Sequence, residues 1–170
     1  MKRVGLAVVA LASLLLIPAS SALAKGPPVS NMTMHFKDVT QTFDDVDPCT
    51  GQPAEITTTF SGVAHLSLFQ DGTGHFTETD RGTFTLDYIE QNGKPDGDVD
   101  ASGTFVDWDG GNGFFDQNGN PTGKGEQSFT LNGSGTFTDS GAPFRFHNNG
   151  HAVFDQFANP KIMFFKAHCH

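Results

Sequence analysis

Charged residues, aromatic hydroxyls and cysteine are all scarce in this chain of 170 residues. Asp, Glu, Lys and Arg together make up 17% of the sequence, and it contains one Tyr, one Trp and two Cys. The formal net charge is -9, which argues against nucleic acid and anionic membrane surfaces as partners. Disorder is excluded because 17 Phe bring more apolar area than a disordered chain contains.

Sequence signatures of catalysis are also missing. The chain has no Gly-x-Ser-x-Gly elbow, no His-Glu-x-x-His pair and no phosphate-binding glycine loop. No cofactor motif is present either. We therefore expect a binding or structural role rather than catalysis, with no cofactor, no metal site and no assignable catalytic residue.

The first 24 residues have the pattern of a signal peptide. Lys2 and Arg3 precede an apolar stretch over 4–17, and Ala22-Leu23-Ala24 forms a small-x-small cleavage signal. A retained membrane anchor is the alternative, but the apolar stretch is short for a span. Removal of 1–24 changes the net charge to -11, because Lys2 and Arg3 are lost from the ten Lys and Arg. We expect a secreted monomer, extracellular or periplasmic, without membrane insertion, formed by one domain over 25–170.

The remaining sequence alternates between apolar and polar residues, as half-buried β-strands do. Met32, Met34 and Phe36 begin the first strand, and the phase then shifts to Val39 and Phe43, which predicts a bulge near Lys37-Asp38. A Gly-x-Phe element recurs at irregular intervals. Gly inside long strands is typical of sheets that bend to close a barrel. The later strands are predicted over 56–68, 75–88, 99–108, 128–137, 144–154 and 161–167.

Cys49 follows the first predicted strand and Cys169 ends the last. An oxidising compartment favours a disulfide between them, while a metal thiolate at His168-Cys169-His170 is the alternative. In an antiparallel meander the two cysteines share one rim only if the number of strands is odd. A turn at Asp80-Arg81 would split one pattern and give eight strands. The sequence therefore predicts an all-β, single up-and-down barrel of seven to eight strands, closed by one disulfide.

The predicted interior is rich in Phe and almost free of hydroxyl groups. Such an interior is either filled by side chains or holds a small apolar ligand. We expect apolar ligand binding to be the leading function, with isomerisation or cyclisation of an apolar substrate as an alternative. That chemistry would need an inward acid, for which Glu78, Asp80 and Glu126 are the candidates. The candidate pocket or rim residues are His65, His75, Trp108, His147 and His151.

Metal ions have two possible sites in the sequence, and an ordinary structural role is favoured at both. His147 and His151 share strand parity, and His168 lies on the next predicted strand, but residues four apart in a strand are about 13 Å apart. Acidic runs over 96–100, 107–112 and 116–120 begin like calcium loops but lack the distal Glu. A cell-envelope interaction module with such acidic loops is the third functional alternative.

Pro48-Cys49-Thr50-Gly51, His147 with His151, and Lys166-Ala167-His168-Cys169 together resemble a group of short exported bacterial β-barrel proteins with no assigned activity. The resemblance implies a single compact barrel and transfers no catalytic residues. In architecture alone, the chain also looks like the calycin barrels, which include the lipocalins and hold small apolar ligands. The Gly-x-Trp typical of lipocalins near the first strand is absent here.

Overall fold

The chain folds into one antiparallel sheet of seven strands. The computed structural model describes residues 27–90, 93–115, 121–155 and 159–170. The predicted leader and the sequence 116–120 lie outside these residues. The strands are β1 (Ser30–Val46), β2 (Pro53–Leu68), β3 (Thr73–Tyr88), β4 (Ala101–Phe115), β5 (Pro121–Phe137), β6 (Pro143–Phe154) and β7 (Pro160–Cys169).

Each strand pairs with its neighbours in the sequence, so the order in the sheet is β1 to β7 without a crossover. The all-β prediction is confirmed, and so is the odd strand count. The pattern does not split at Asp80-Arg81, because β3 pairs continuously with β4 through that point. No helix among the described residues is long and apolar enough to cross a membrane.

Two strands are longer than their sequence patterns predicted. β4 continues from Trp108 to Phe115, and β5 begins at Pro121 rather than at Ser128. The additional segments are rich in Gly, Asp and Asn, which usually indicate turns. Here Gly110, Gly111 and Gly113 pair in register with Ser128, Gln127 and Gly125 of β5, so the turn-like composition does not produce a turn.

The predicted bulge in β1 is confirmed. The register with β2 shifts between Phe36 and Val39, and Asp38 lies in the left-handed region with φ 52°. The bulged backbone is held from the neighbouring strand, since the Asp38 amide donates to Ser61 Oγ at 2.9 Å. The extra residue keeps Phe36 and Val39 on the same face despite their odd spacing, so both pack against the core.

The inward face of the sheet is built from Phe rings that lie over glycines of the next strand. Phe84 is opposite Gly103 in the ladder, and the tip of its ring lies 2.7 Å from where a Cβ on Gly103 would be. The recurring Gly-x-Phe element therefore provides a seat for an aromatic ring from a neighbouring strand. The same arrangement joins Phe76 with Gly111, Phe129 with Gly150, Phe144 with Gly135 and Phe146 with Gly133.

Aromatic packing fills the half of the interior near the disulfide. Phe137 and Phe144 have ring centroids 4.7 Å apart, and Phe84 lies 5.7 Å from Phe146. Buried Ile56, Leu86 and other apolar residues complete this cluster. A second, smaller cluster of Leu66, Phe76 and Leu68 lies toward the other end of the strands. The packing near the disulfide agrees with the filled-interior alternative, and a ligand cavity elsewhere in the interior stays a prediction.

The disulfide between Cys49 and Cys169 is present, with a Cα–Cα distance of 5.4 Å across a sequence separation of 120. It joins the turn after β1 to the end of β7, so the first and last strands meet at one end. No β1–β7 ladder occurs among the described strand pairings. Closure of the barrel by hydrogen bonds therefore stays a prediction, and the covalent link joins the two edges.

Candidate functional site

Four carboxyl groups lie at the corners of a rectangle on the inward face of β3 and β4. Glu78 is paired with Asp109, and Asp80 with Asp107, as direct cross-strand neighbours. Such neighbours have Cβ atoms about 5 Å apart, and like charges at that spacing destabilise a sheet. We name these four residues the carboxyl cluster. Its members lie between the two apolar clusters, with Glu78 4% and Asp80 2% exposed.

The carboxyl cluster retains protons near neutral pH. Burial, followed by the neighbouring charge and hydrogen bond of Glu78, raises the pKa of Asp80 to about 8. Burial and the Asp109 charge raise the pKa of Asp107 to about 7. Burial also raises the pKa of Asp109 to about 6, although a hydrogen bond from Gln127 opposes the shift. The cluster can therefore donate as well as accept protons in the neutral range.

Several oxygens of this region lack a hydrogen-bond partner. Gln127 Nε2 donates to Asp109 Oδ2 at 2.7 Å, but Asp109 Oδ1, Asp80 Oδ1 and Asp107 Oδ1 are buried without a partner. On β6, Asn148 is 5% exposed and its Oδ1 is also unpartnered. Asn148 shares the inward register row of Asp107, with Leu131 between them. Unsatisfied buried oxygens cost free energy, and a ligand that donates hydrogen bonds would recover it.

A row of apolar side chains runs from the cluster to the edge strand β7. Phe129 is the cross-strand neighbour of Asp109, and its ring centroid lies 6.2 Å from that of Phe165. Phe165 and Met163 pair with Gly150 and Ala152 of β6, which puts them on the inward face. They are nevertheless 40% and 46% exposed. The inward face is therefore accessible along β7.

The predicted pocket residues lie on the other face of the sheet. Each histidine pairs with a polar side chain of the next strand: His65 with Thr33 at 2.9 Å, His75 with Asn112 at 2.7 Å, His147 with Asn132 at 2.6 Å, and His151 with Ser128 at 2.9 Å. Trp108 is also outward and 45% exposed. That these five residues bind a ligand stays a prediction, and any such ligand would contact the outer surface of the sheet.

Two of the three candidate acids lie inward, the position that the isomerisation or cyclisation alternative requires. Glu78 and Asp80 belong to the carboxyl cluster, whereas Glu126 lies on the outward face and accepts a hydrogen bond from Asn112 Nδ2 at 3.1 Å. Sequence reasoning did not identify Asp107 and Asp109 as partners, since their run resembled a loop. The sequence feature that could have identified them is the alternate spacing of Phe105, Asp107 and Asp109, which places all three on one face of a strand.

The calcium-like runs have different outcomes. Residues 107–112 form part of β4, not a loop, so that interpretation was wrong. In the loop over 96–100, Asp96 Oδ1 accepts from the Asp98 amide at 2.9 Å, as in an ordinary turn. His147 and His168 are cross-strand partners, but no group of three or more His, Cys, Asp or Glu among the described residues is placed to hold a metal ion.

A buried acid also supports the disulfide end. Asp47 is 1% exposed and accepts hydrogen bonds from the Cys49 amide at 2.8 Å, from Thr50 Oγ1 at 2.7 Å and from the Tyr88 hydroxyl at 2.7 Å. Burial and the bond to Asp47 raise the pKa of Tyr88 to about 12. These contacts fix the turn that carries Cys49, so Asp47 has a structural role.

Comparison with protein families, curated proteins and solved structures finds no match to this chain.

Proposed function

We propose that the protein binds a small, largely apolar molecule on the inward face of the sheet. The proposal rests chiefly on one observation: unpartnered buried oxygens of the carboxyl cluster lie next to a row of Phe rings that ends at the exposed Phe165. The apolar body of the ligand would contact Phe129 and Phe165, and burial would supply about 25 cal/mol per Å². Its polar group would reach the carboxyl cluster and fix the orientation.

The chemistry of the cluster selects the polar group. The unpartnered Asn148 oxygen and the oxygens of an ionised carboxylate accept hydrogen bonds, and an ionised member attracts positive charge. An amine or a hydroxyl therefore fits, whereas a carboxylate would be repelled. We expect a preference in the order alkyl amine, alkyl alcohol, fatty acid.

The first experiment is native mass spectrometry of the protein purified from its own host, to detect a co-purifying apolar molecule. The second is calorimetric titration with dodecylamine, dodecanol and dodecanoate. Phe165 and Phe164 are adjacent on β7, both are exposed, and they lie on opposite faces. We expect Phe165→Ala to weaken dodecylamine binding and the matched control Phe164→Ala to leave it unchanged. Equal effects of the two variants, or equal affinity for all three probes, would contradict the proposal.

Acid–base catalysis on an apolar substrate is the second candidate function. It is favoured by Asp80, which lies inward, shares a hydrogen bond with Glu78 and has a pKa of about 8. A group that exchanges a proton near neutral pH can move one between positions of a bound molecule. If this function holds, the ligand extracted from the wild-type protein is a different isomer mixture from that of Asp80→Asn. Identical mixtures from the two proteins would leave binding alone.

Export to the periplasm or the cell exterior is part of the proposal. A disulfide is typical of an oxidising compartment, and the pattern over 1–24 supports a cleaved leader. Mass analysis of the protein from its host tests both points. A chain that begins at Lys25, with no free thiol, is expected.

A further inference from the structure

A shallow groove of about 690 Å³ lies on the outward face, across β3 to β6. Two arginines line its ends, and hydroxyl and amide side chains lie between them: Arg81, Arg145, Thr83, Thr104, Asn132 and Ser134. Arg81 is on β3 and Arg145 on β6, three strand spacings away, so their Cα atoms are about 14 Å apart across the sheet. This groove is separate from the inward face used in the proposed function.

The groove is positively charged in an acidic protein. The outward residues over 79–85 of β3, 102–108 of β4, 128–136 of β5 and 145–151 of β6 include no Asp or Glu. The acids on these strand segments, such as Asp80 and Asp107, face inward. Among the described residues, neither the Arg81 nor the Arg145 guanidinium makes an ion pair or a side-chain hydrogen bond. Two free guanidinium groups with no outward acid on the strand segments between them are suited to an anionic ligand, although Asp38 lies one strand beyond Arg81, beside Ser61.

An exposed aromatic ring lies beside the groove. Trp108 follows the lining residue Val106 by two positions, so the two share the outward face of β4. The outer edge of the indole extends over Gly110, with Cζ2 3.0 Å from where a Cβ on Gly110 would be, and 45% of the residue is exposed. Gly110 thus allows the ring to lie along the sheet. A flat, half-exposed indole beside hydroxyl and amide groups is suited to the apolar face and the hydroxyls of a sugar ring.

We propose that this groove binds an acidic oligosaccharide, with Arg81 and Arg145 contacting its anionic groups and Trp108 packing against one of its sugar rings. The length of the groove requires an extended ligand, since two charged contacts lie at its opposite ends. Asn132 lines the groove, and its Oδ1 lies 2.6 Å from Nδ1 of the neighbouring His147, which holds the amide in place. The single Trp on an acidic protein does not favour nucleic acid, which usually stacks several bases on aromatic residues.

The test is a titration of the full mature protein with four probes. These are an oligogalacturonate hexamer, a heparin-derived hexasaccharide, neutral maltohexaose and a single-stranded DNA oligomer. Trp108 is the only tryptophan, so its fluorescence reports binding directly, and calorimetry supplies the affinity. We expect at least one acidic sugar to bind and the neutral sugar not to bind. Which acidic sugar binds more tightly distinguishes carboxylate from sulfate recognition.

Variants place the binding in the groove. Arg81→Gln and Arg145→Gln should each weaken binding about tenfold or more, as expected from loss of a charge-assisted hydrogen bond. Lys124→Gln is the matched control, because Lys124 is exposed but lies outside the groove. Circular dichroism checks that all three fold. No binding of either acidic sugar, an equal effect of Lys124→Gln, or equally tight binding of DNA would overturn the proposal. Phe165→Ala should leave sugar binding unchanged, so the two proposals fail separately.

Discussion

The carboxyl cluster predicts that the protein becomes less stable as the pH rises through the neutral range. Asp109 is 9% exposed and has a pKa of about 6 in the folded protein, against an ordinary value of 3.8. Between about pH 4 and pH 6, Asp109 is therefore protonated in the folded state and ionised in the unfolded state. A difference of about two pKa units corresponds to about 3 kcal/mol of unfolding free energy, lost between about pH 4 and pH 6.

The other cluster members extend this loss to higher pH. The pKa values of Asp107 and Asp80 are about 7 and about 8, so each adds to the decline until it ionises in the folded state. Each additional retained proton contributes a slope of about 1.4 kcal/mol per pH unit. Against a usual total of about 5–15 kcal/mol, the effect is large enough to measure without difficulty.

Urea unfolding followed by circular dichroism, at intervals from pH 4.5 to pH 8, measures the slope directly. Asp109→Asn preserves an oxygen that accepts from Gln127 but removes the titrating proton. We expect it to flatten the decline by about 1.4 kcal/mol per pH unit between pH 4.5 and pH 6. Asp71→Asn is the control: hydrogen bonds from Thr73 lower the pKa of this exposed residue, so it titrates below that range. A wild-type stability that stays level or increases toward pH 8, or parallel curves for Asp109→Asn and wild type, would refute the reasoning.

Three further predictions concern the fold. Replacing both cysteines by Ser should lower the unfolding free energy by about 4–5 kcal/mol in the chain-entropy model, measured by urea unfolding, and an unchanged midpoint would show that the link adds nothing. Gly103→Ala should lower the unfolding free energy by about 1–3 kcal/mol through overpacking, because its Cβ would meet Phe84 and the β5 backbone. Thr104→Ala, outward on the same strand, should lower it by less. The reverse order would contradict the packing of Phe84 over Gly103. Tyr88 is the only tyrosine, so absorbance should show a single phenol titration near pH 12, because burial and the bond to Asp47 raise its pKa. Tyr88→Phe should cost about 1–2 kcal/mol by removing a donor to Asp47. Titration near pH 10 would contradict both the burial and the hydrogen bond.

The sequence predicted the large-scale features of the fold because local chemistry determines them. The alternation of apolar and polar residues assigned the strand faces, and the shift in that alternation located the bulge at Asp38. Because strand direction reverses at each hairpin, a disulfide between Cys49 and Cys169 required an odd number of strands. Each of these depends on one strand at a time, or on simple topology.

The carboxyl cluster could not be predicted in full, because it depends on register. Glu78 and Asp80 were identified on their own strand, but only the pairing of β3 with β4 places Asp107 and Asp109 beside them. The run containing Asp109 and Gly110 has turn composition, yet it extends β4. The outward groove was missed for the same reason, since Arg81 and Arg145 are separated by 64 positions and only the register of β3 to β6 places them on one surface.

The link between Cys49 and Cys169 turns 121 consecutive residues into a covalent ring. A protease that cuts one peptide bond anywhere between these two residues would open the ring without releasing a fragment, and the severed strands would remain tethered to the rest of the sheet. In surroundings rich in hydrolases, such a molecule tolerates a nick that would divide a linear chain in two.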